Sequence, residues 1–121
     1  MVIELKEMYS LDIEVPLSEY YPDIINNFEL DVRLIIGINK EEGGDIFDIR
    51  VCTPLWLRER LQSEGGILEK GLLIVNEYSF EKIEEKINKY IQSISVKDWE
   101  EATKKLSKVF YWEFDDYYVL G

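Results

Sequence analysis

The sequence contains no histidine and a single cysteine, Cys52, among its 121 residues. The first absence removes the side chain that most often serves as a general base near neutral pH and most often ligates a transition metal. The second excludes an internal disulfide, and the two together exclude a zinc site built from cysteine and histidine. Bases are scarce too: 14 lysines and arginines face 25 aspartates and glutamates, a net charge of -11. A surface of that sign repels nucleic acid phosphates and anionic lipid headgroups. No apolar run reaches the ~18–20 residues that a membrane-spanning helix needs. The opening segment carries Glu4, Lys6 and Glu7 where a signal peptide would be apolar. Gly-x-Ser-x-Gly, a phosphate-cradling glycine loop and a dinucleotide fingerprint are all missing. These absences predict a cytoplasmic protein with no nucleic acid or membrane partner. They leave no catalytic, cofactor-binding or metal-ligating residue to single out.

What is present is enough for a packed domain. Apolar residues make up 46% of the chain, with 8 tyrosines, 5 phenylalanines and 3 tryptophans. A chain of this length folds as one domain, residues 1–121. Residues 2–9 suit a first strand, and residues 11–27, rich in turn formers around Pro16 and Pro22, suit a long connection lying on the domain. The clearest pattern runs from Phe28 to Ile38. There Phe28, Leu30, Val32, Leu34, Ile36 and Ile38 alternate with Glu29, Asp31, Arg33, Ile35 and Gly37. Strict period-2 alternation predicts a strand with one buried and one wetter face. Residues 39–45, polar with Gly43 and Gly44, read as the turn of a hairpin into the next strand.

That next strand, with Phe47, Ile49 and Val51 on one side, runs into Thr53-Pro54. Threonine is a helix cap and proline is tolerated in the first helical turn, so strand becomes helix within two residues. The helix 54–64 should stop at Gly65, with Leu57 in the core and Trp56 as a packing anchor. Leu72 to Val75 is short and wholly apolar, the pattern of a strand buried on both faces, and the intervening helix allows it to run parallel to the strand before the corner. Two amphipathic helices follow. Their stripes are Phe80, Ile83, Ile87, Tyr90, Ile91 and Ile94, then Trp99, Ala102, Leu106, Val109 and Phe110, the second capped by Asp98. The expected fold is α+β: an antiparallel sheet of about four strands in the order β-β-β-α-β-α-α, with the C-terminal helices on one face.

The acids are unevenly placed. The excess falls on residues 1–53 and 111–121, while 79–110 is almost neutral. Glu41, Glu42, Asp45 and Asp48 lack the spacing of a calcium-binding EF-hand, and a hairpin explains Gly43-Gly44 more simply. No carboxylate pair stands out for hydrolysis. Segregated charge instead suggests a surface for a cationic partner, with Glu41, Glu42 and Asp45 at the hairpin joined by Trp112, Glu113, Asp115, Asp116 and Tyr117 of the aromatic-acidic tail. The bland alternative is that the acids only keep the protein soluble while Trp112 and Phe114 pack against the sheet.

Residues Phe47-Asp48-Ile49-Arg50-Val51-Cys52-Thr53-Pro54-Leu55-Trp56-Leu57 carry a resemblance, extended by Leu72-Leu73-Ile74-Val75-Asn76-Glu77-Tyr78 and by Trp112-Glu113-Phe114-Asp115-Asp116-Tyr117. Together they resemble the bacterial immunity protein 8 family, whose members are encoded beside polymorphic toxins and neutralise the toxin domain. The distinctive part is Val51 to Leu57; the rest is general apolar patterning. The resemblance implies a non-enzymatic inhibitor that occludes a cognate protein toxin, and it brings no catalytic residues with it. The rivals from other classes are a carboxylate-dependent enzyme or metal-binding domain, and a general acidic interaction module.

Overall fold

Alternation between apolar and polar residues builds the sheet, and its register decides which charges meet. In the computed structural model, which describes residues 1–115, β1 (Ile3–Tyr9), β2 (Glu29–Ile38) and β3 (Asp45–Cys52) form an antiparallel meander. Between β2 and β3, Leu30 pairs with Val51, Val32 with Ile49 and Leu34 with Phe47, and all six are buried. On the opposite face the same register sets Asp31 against Arg50 and Arg33 against Asp48.

Two details explain sequence features that looked irregular. The register of β1 shifts between Leu5 and Glu7, a bulge that returns both Leu5 and Met8 to the core side. In the hairpin the backbones of Gly37 and Gly44 lie so close that a Cβ on Gly37 would come 2.3 Å from the carbonyl oxygen of Gly43. Only glycine fits there.

Thr53 ends β3 and opens α1 (Pro54–Glu64), which stops at Gly65 in the left-handed conformation. The corner therefore forms as its residues dictate, but α1 itself buries no residue: Trp56 and Leu57 are only half-buried. This corrects the expectation that Leu57 belongs to the core. The physical reason is position, because α1 lies outside the layer in which the other two helices pack. A second correction concerns β4 (Leu72–Ile74), which runs parallel to β3 as its helical connection allows but lies at the edge, half-covered, not buried on both faces. The same edge of β3 also holds a fifth, two-residue strand, β5 (Tyr111–Trp112), antiparallel and opposite Phe47 and Asp48. Among the described residues the sheet thus has five strands, with three antiparallel pairings and one parallel.

The remaining helices, α2 (Phe80–Ser93) and α3 (Trp99–Leu106), are capped by Ser79 and Asp98, whose side chains accept from the Lys82 and Glu101 amides. Ile83, Ile87 and Ile91 of α2 and Ala102 and Leu106 of α3 join the buried sheet residues in one cluster with Phe110. Each buried isoleucine, leucine, valine or phenylalanine among them contributes ~1.5–3 kcal/mol. The long connection is pinned by Leu17, which is buried and whose carbonyl accepts the Tyr78 hydroxyl at 2.6 Å. One face of the sheet is therefore covered by two helices. The other carries the charged ladder.

Candidate partner-binding surfaces

Two acidic regions result. The first joins the β2–β3 hairpin to the C-terminal segment. Asp45 Oδ2 accepts the indole N–H of Trp112 at 3.0 Å and that of Trp99 at 3.3 Å. Glu113 Oε2 accepts the Ile46 amide at 2.6 Å, and the Glu113 amide donates to the Ile46 carbonyl. Trp112 stacks on Phe47, with Phe114 set edge-on to it and 62% exposed. Asp115 lies 3.5 Å from the Lys70 ammonium. Residues separated by more than sixty positions are thus brought together, and Asp45, Trp112 and Glu113 hold the segment in place. Glu41 and Glu42 remain exposed at the hairpin tip, where the Glu41 carbonyl accepts from Lys6 Nζ. Asp116 and Tyr117 lie outside the described residues.

The second region is the open face of the sheet, which pattern reading alone did not assemble. Arg33 forms a bidentate pair with Asp48, at 3.0 and 3.3 Å, and this raises the Arg33 pKa. Arg50 reaches Glu69 at 3.0 Å, Asp31 at 3.4 Å and Glu29 at 3.8 Å. Arg60 of α1 pairs with the other oxygen of Glu69, at 3.0 Å, and with Glu64. Trp56 lies against both guanidiniums, 5.8 Å from Arg50 and 5.4 Å from Arg60, so its half-burial is spent on cation–π contact.

A groove of about 350 Å³ crosses this face, lined among others by Leu11, Asp12, Asp31, Asp48, Glu69 and Tyr111. Asp12 enters it from the turn after β1, where Oδ2 accepts the Asp31 amide at 3.0 Å. Carboxylate oxygens of Asp12, Glu29 and Asp31 all lie within 4.8 Å of one another. Burial, and then repulsion by Asp31, push the Glu29 pKa up despite the attraction of Arg50. The one sequence signal for this cluster was the alternation of Glu29, Asp31 and Arg33 along one strand.

Chemically the face is a set of opposite charges, most of them paired across the strands. Cys52, the last residue of β3, is fully buried, and burial pushes its thiol up to about 11, which suits a structural role. Among the described residues no helix is long and apolar enough to cross a membrane.

The model of a family described as Immunity protein 8 matches residues 3–117, which include both acidic regions and the strand-to-helix corner. No curated protein and no solved structure matches the chain.

Proposed function

The chain belongs to the Immunity protein 8 family, and from that premise we propose that it binds and neutralises the toxin domain of a cognate bacterial polymorphic toxin. It does so by occlusion, with no catalysis of its own, in the cytoplasm of the cell it protects. The observation that carries this reading is the family match along residues 3–117. A net charge of -11 favours a cationic toxin domain, since opposite charge speeds encounter and disfavours wrong partners. In this reading Glu41 and Glu42 meet the toxin directly, Asp45, Trp112 and Glu113 keep that surface in shape, and Asp115, Asp116 and Tyr117 extend it along the tail.

The test is co-expression. The toxin domain encoded beside this gene is induced in cells with and without the protein, and growth is scored. Rescue together with a purified complex of the two proteins supports the proposal. Toxicity that persists in the presence of well-folded protein refutes it.

One observation favours a different class, metal binding: the convergence of Asp12, Glu29 and Asp31. Thermal unfolding with calcium or manganese distinguishes the two. A raised midpoint that depends on these three residues would support a metal site; an unchanged midpoint leaves toxin binding as the function.

A further inference from the structure

The groove on the open face of the sheet is lined by four carboxylates, Asp12, Asp31, Asp48 and Glu69, against two guanidiniums, Arg33 and Arg50. Both guanidiniums are committed, Arg33 to Asp48 and Arg50 to Glu69 and Asp31. Lys70, beside the far wall, is drawn to the Ser107 carbonyl at 2.8 Å and to Asp115 at 3.5 Å. Among the described residues no lysine or arginine forms an ion pair with Asp12. Negative charge is therefore left over at one end of the groove, where Asp12, Glu29 and Asp31 converge.

We propose that this groove is a second contact surface for the toxin and receives a basic side chain, an arginine or lysine, with its charged end at Asp12 and Asp31. The inference rests on the toxin-binding reading above and adds to it a place and a chemistry. Charge complementarity identifies the occupant. Glu29 adds a third carboxylate beside Asp12 and Asp31; its pKa is raised first by burial and only then by repulsion from Asp31, and the geometry of the three carboxylates carries the inference. A side chain suits the groove better than a bare dication. Arg50 Nε already stands 3.4 Å from Asp31 and 3.8 Å from Glu29, where it would repel a dication at close range. Leu11, 72% exposed, and Tyr111 supply apolar wall for the aliphatic part of a long basic side chain.

The experiment measures binding of the neighbouring gene's toxin domain to the full chain by calorimetry at several salt concentrations. Three forms are compared: wild type, an Asp12→Asn/Asp31→Asn double variant, and Leu11→Arg. The double variant keeps side-chain oxygens that accept hydrogen bonds, and Leu11→Arg changes only an exposed rim residue, so at least one of the two stays folded. Each should bind roughly tenfold or more weakly than wild type, and the double variant should lose part of the salt dependence. Wild-type binding matched by both variants overturns the groove while leaving the toxin-binding reading intact. Absence of wild-type binding removes both. A thermal midpoint raised by calcium or manganese in wild type but not in the double variant would make the cluster a cation site and overturn the proposal.

Discussion

Trp112 donates its indole N–H to Asp45 Oδ2 at 3.0 Å, so the last described strand is fastened to the first residue of β3. The same oxygen accepts from Trp99 at the start of α3. One carboxylate thereby ties the hairpin, the last helix and the C-terminal segment into a single unit. Asp45 looked like a free acid on an interface; it is first a hydrogen-bond hub.

Asp45→Ala would leave two indole donors without their acceptor in a half-covered site. Stability should fall by about 2 kcal/mol, and Asp45→Asn, which retains a carbonyl oxygen, should cost less. Urea unfolding followed by tryptophan fluorescence measures both. Equal stability of Asp45→Ala and wild type would show that the hub is dispensable.

Why this hub was hidden, when so much else was legible, comes down to range. Local signals held: the alternation of residues 28–38, Thr53-Pro54 as a strand-to-helix corner, Asp98 as a cap and the α2 stripe all depend on neighbours within a few positions. Long-range choices did not announce themselves. Of Leu72 to Val75, Leu73 and Val75 pack on the core while the strand sits at an edge, and four apolar residues cannot separate that from a central strand. Tyr111 and Trp112 are strand only because β3 has free edge beside them. The groove draws Asp12, Asp31, Asp48 and Glu69 from four separate segments, and only the strand register brings them together.

Thr53 is the most consequential polar residue of the corner. Its hydroxyl accepts the Trp56 amide at 3.4 Å and the Phe28 amide at 3.3 Å, and the side chain is fully buried. Thr53→Ala should therefore cost more than an ordinary cap, about 2 kcal/mol, because the amide of buried Phe28, just before β2, also loses its partner. Thr53→Ser should recover most of the loss in the same denaturation assay.

Trp56 behaves differently from a core anchor. It stands on a helix with no buried residue, and its partners are the guanidiniums of Arg50 in β3 and Arg60 in α1, so Trp56→Ala should cost only about 1 kcal/mol. A loss of about 3 kcal/mol, the size expected for a tryptophan removed from a packed core, would contradict this placement.

Cys52 offers a kinetic test of the fold. With its thiol pushed up to about 11 by burial, the thiolate fraction at pH 8 is small, roughly one part in a thousand. A disulfide reagent such as DTNB should react with the native protein only as fast as it opens, and at once in urea. Rapid labelling of the native protein would mean that the end of β3 opens readily to solvent.

Glu29 connects the groove to pH. Burial and Asp31 raise its folded pKa above the ordinary carboxylate value, against the pull of Arg50; Asp12 adds to the rise and Arg60 opposes it. A carboxyl raised in this way binds its proton more tightly when folded. Between the unfolded and folded pKa the native state holds more protons, so stability falls as pH rises through that window, and above it the full penalty applies. Glu29→Gln should accordingly be more stable than wild type at pH 7, with the difference shrinking as pH is lowered through the window. Urea unfolding of both proteins between about pH 4 and 8 tests this. A wild type more stable than Glu29→Gln at pH 7 would mean that attraction to Arg50 outweighs burial and the repulsion by Asp31.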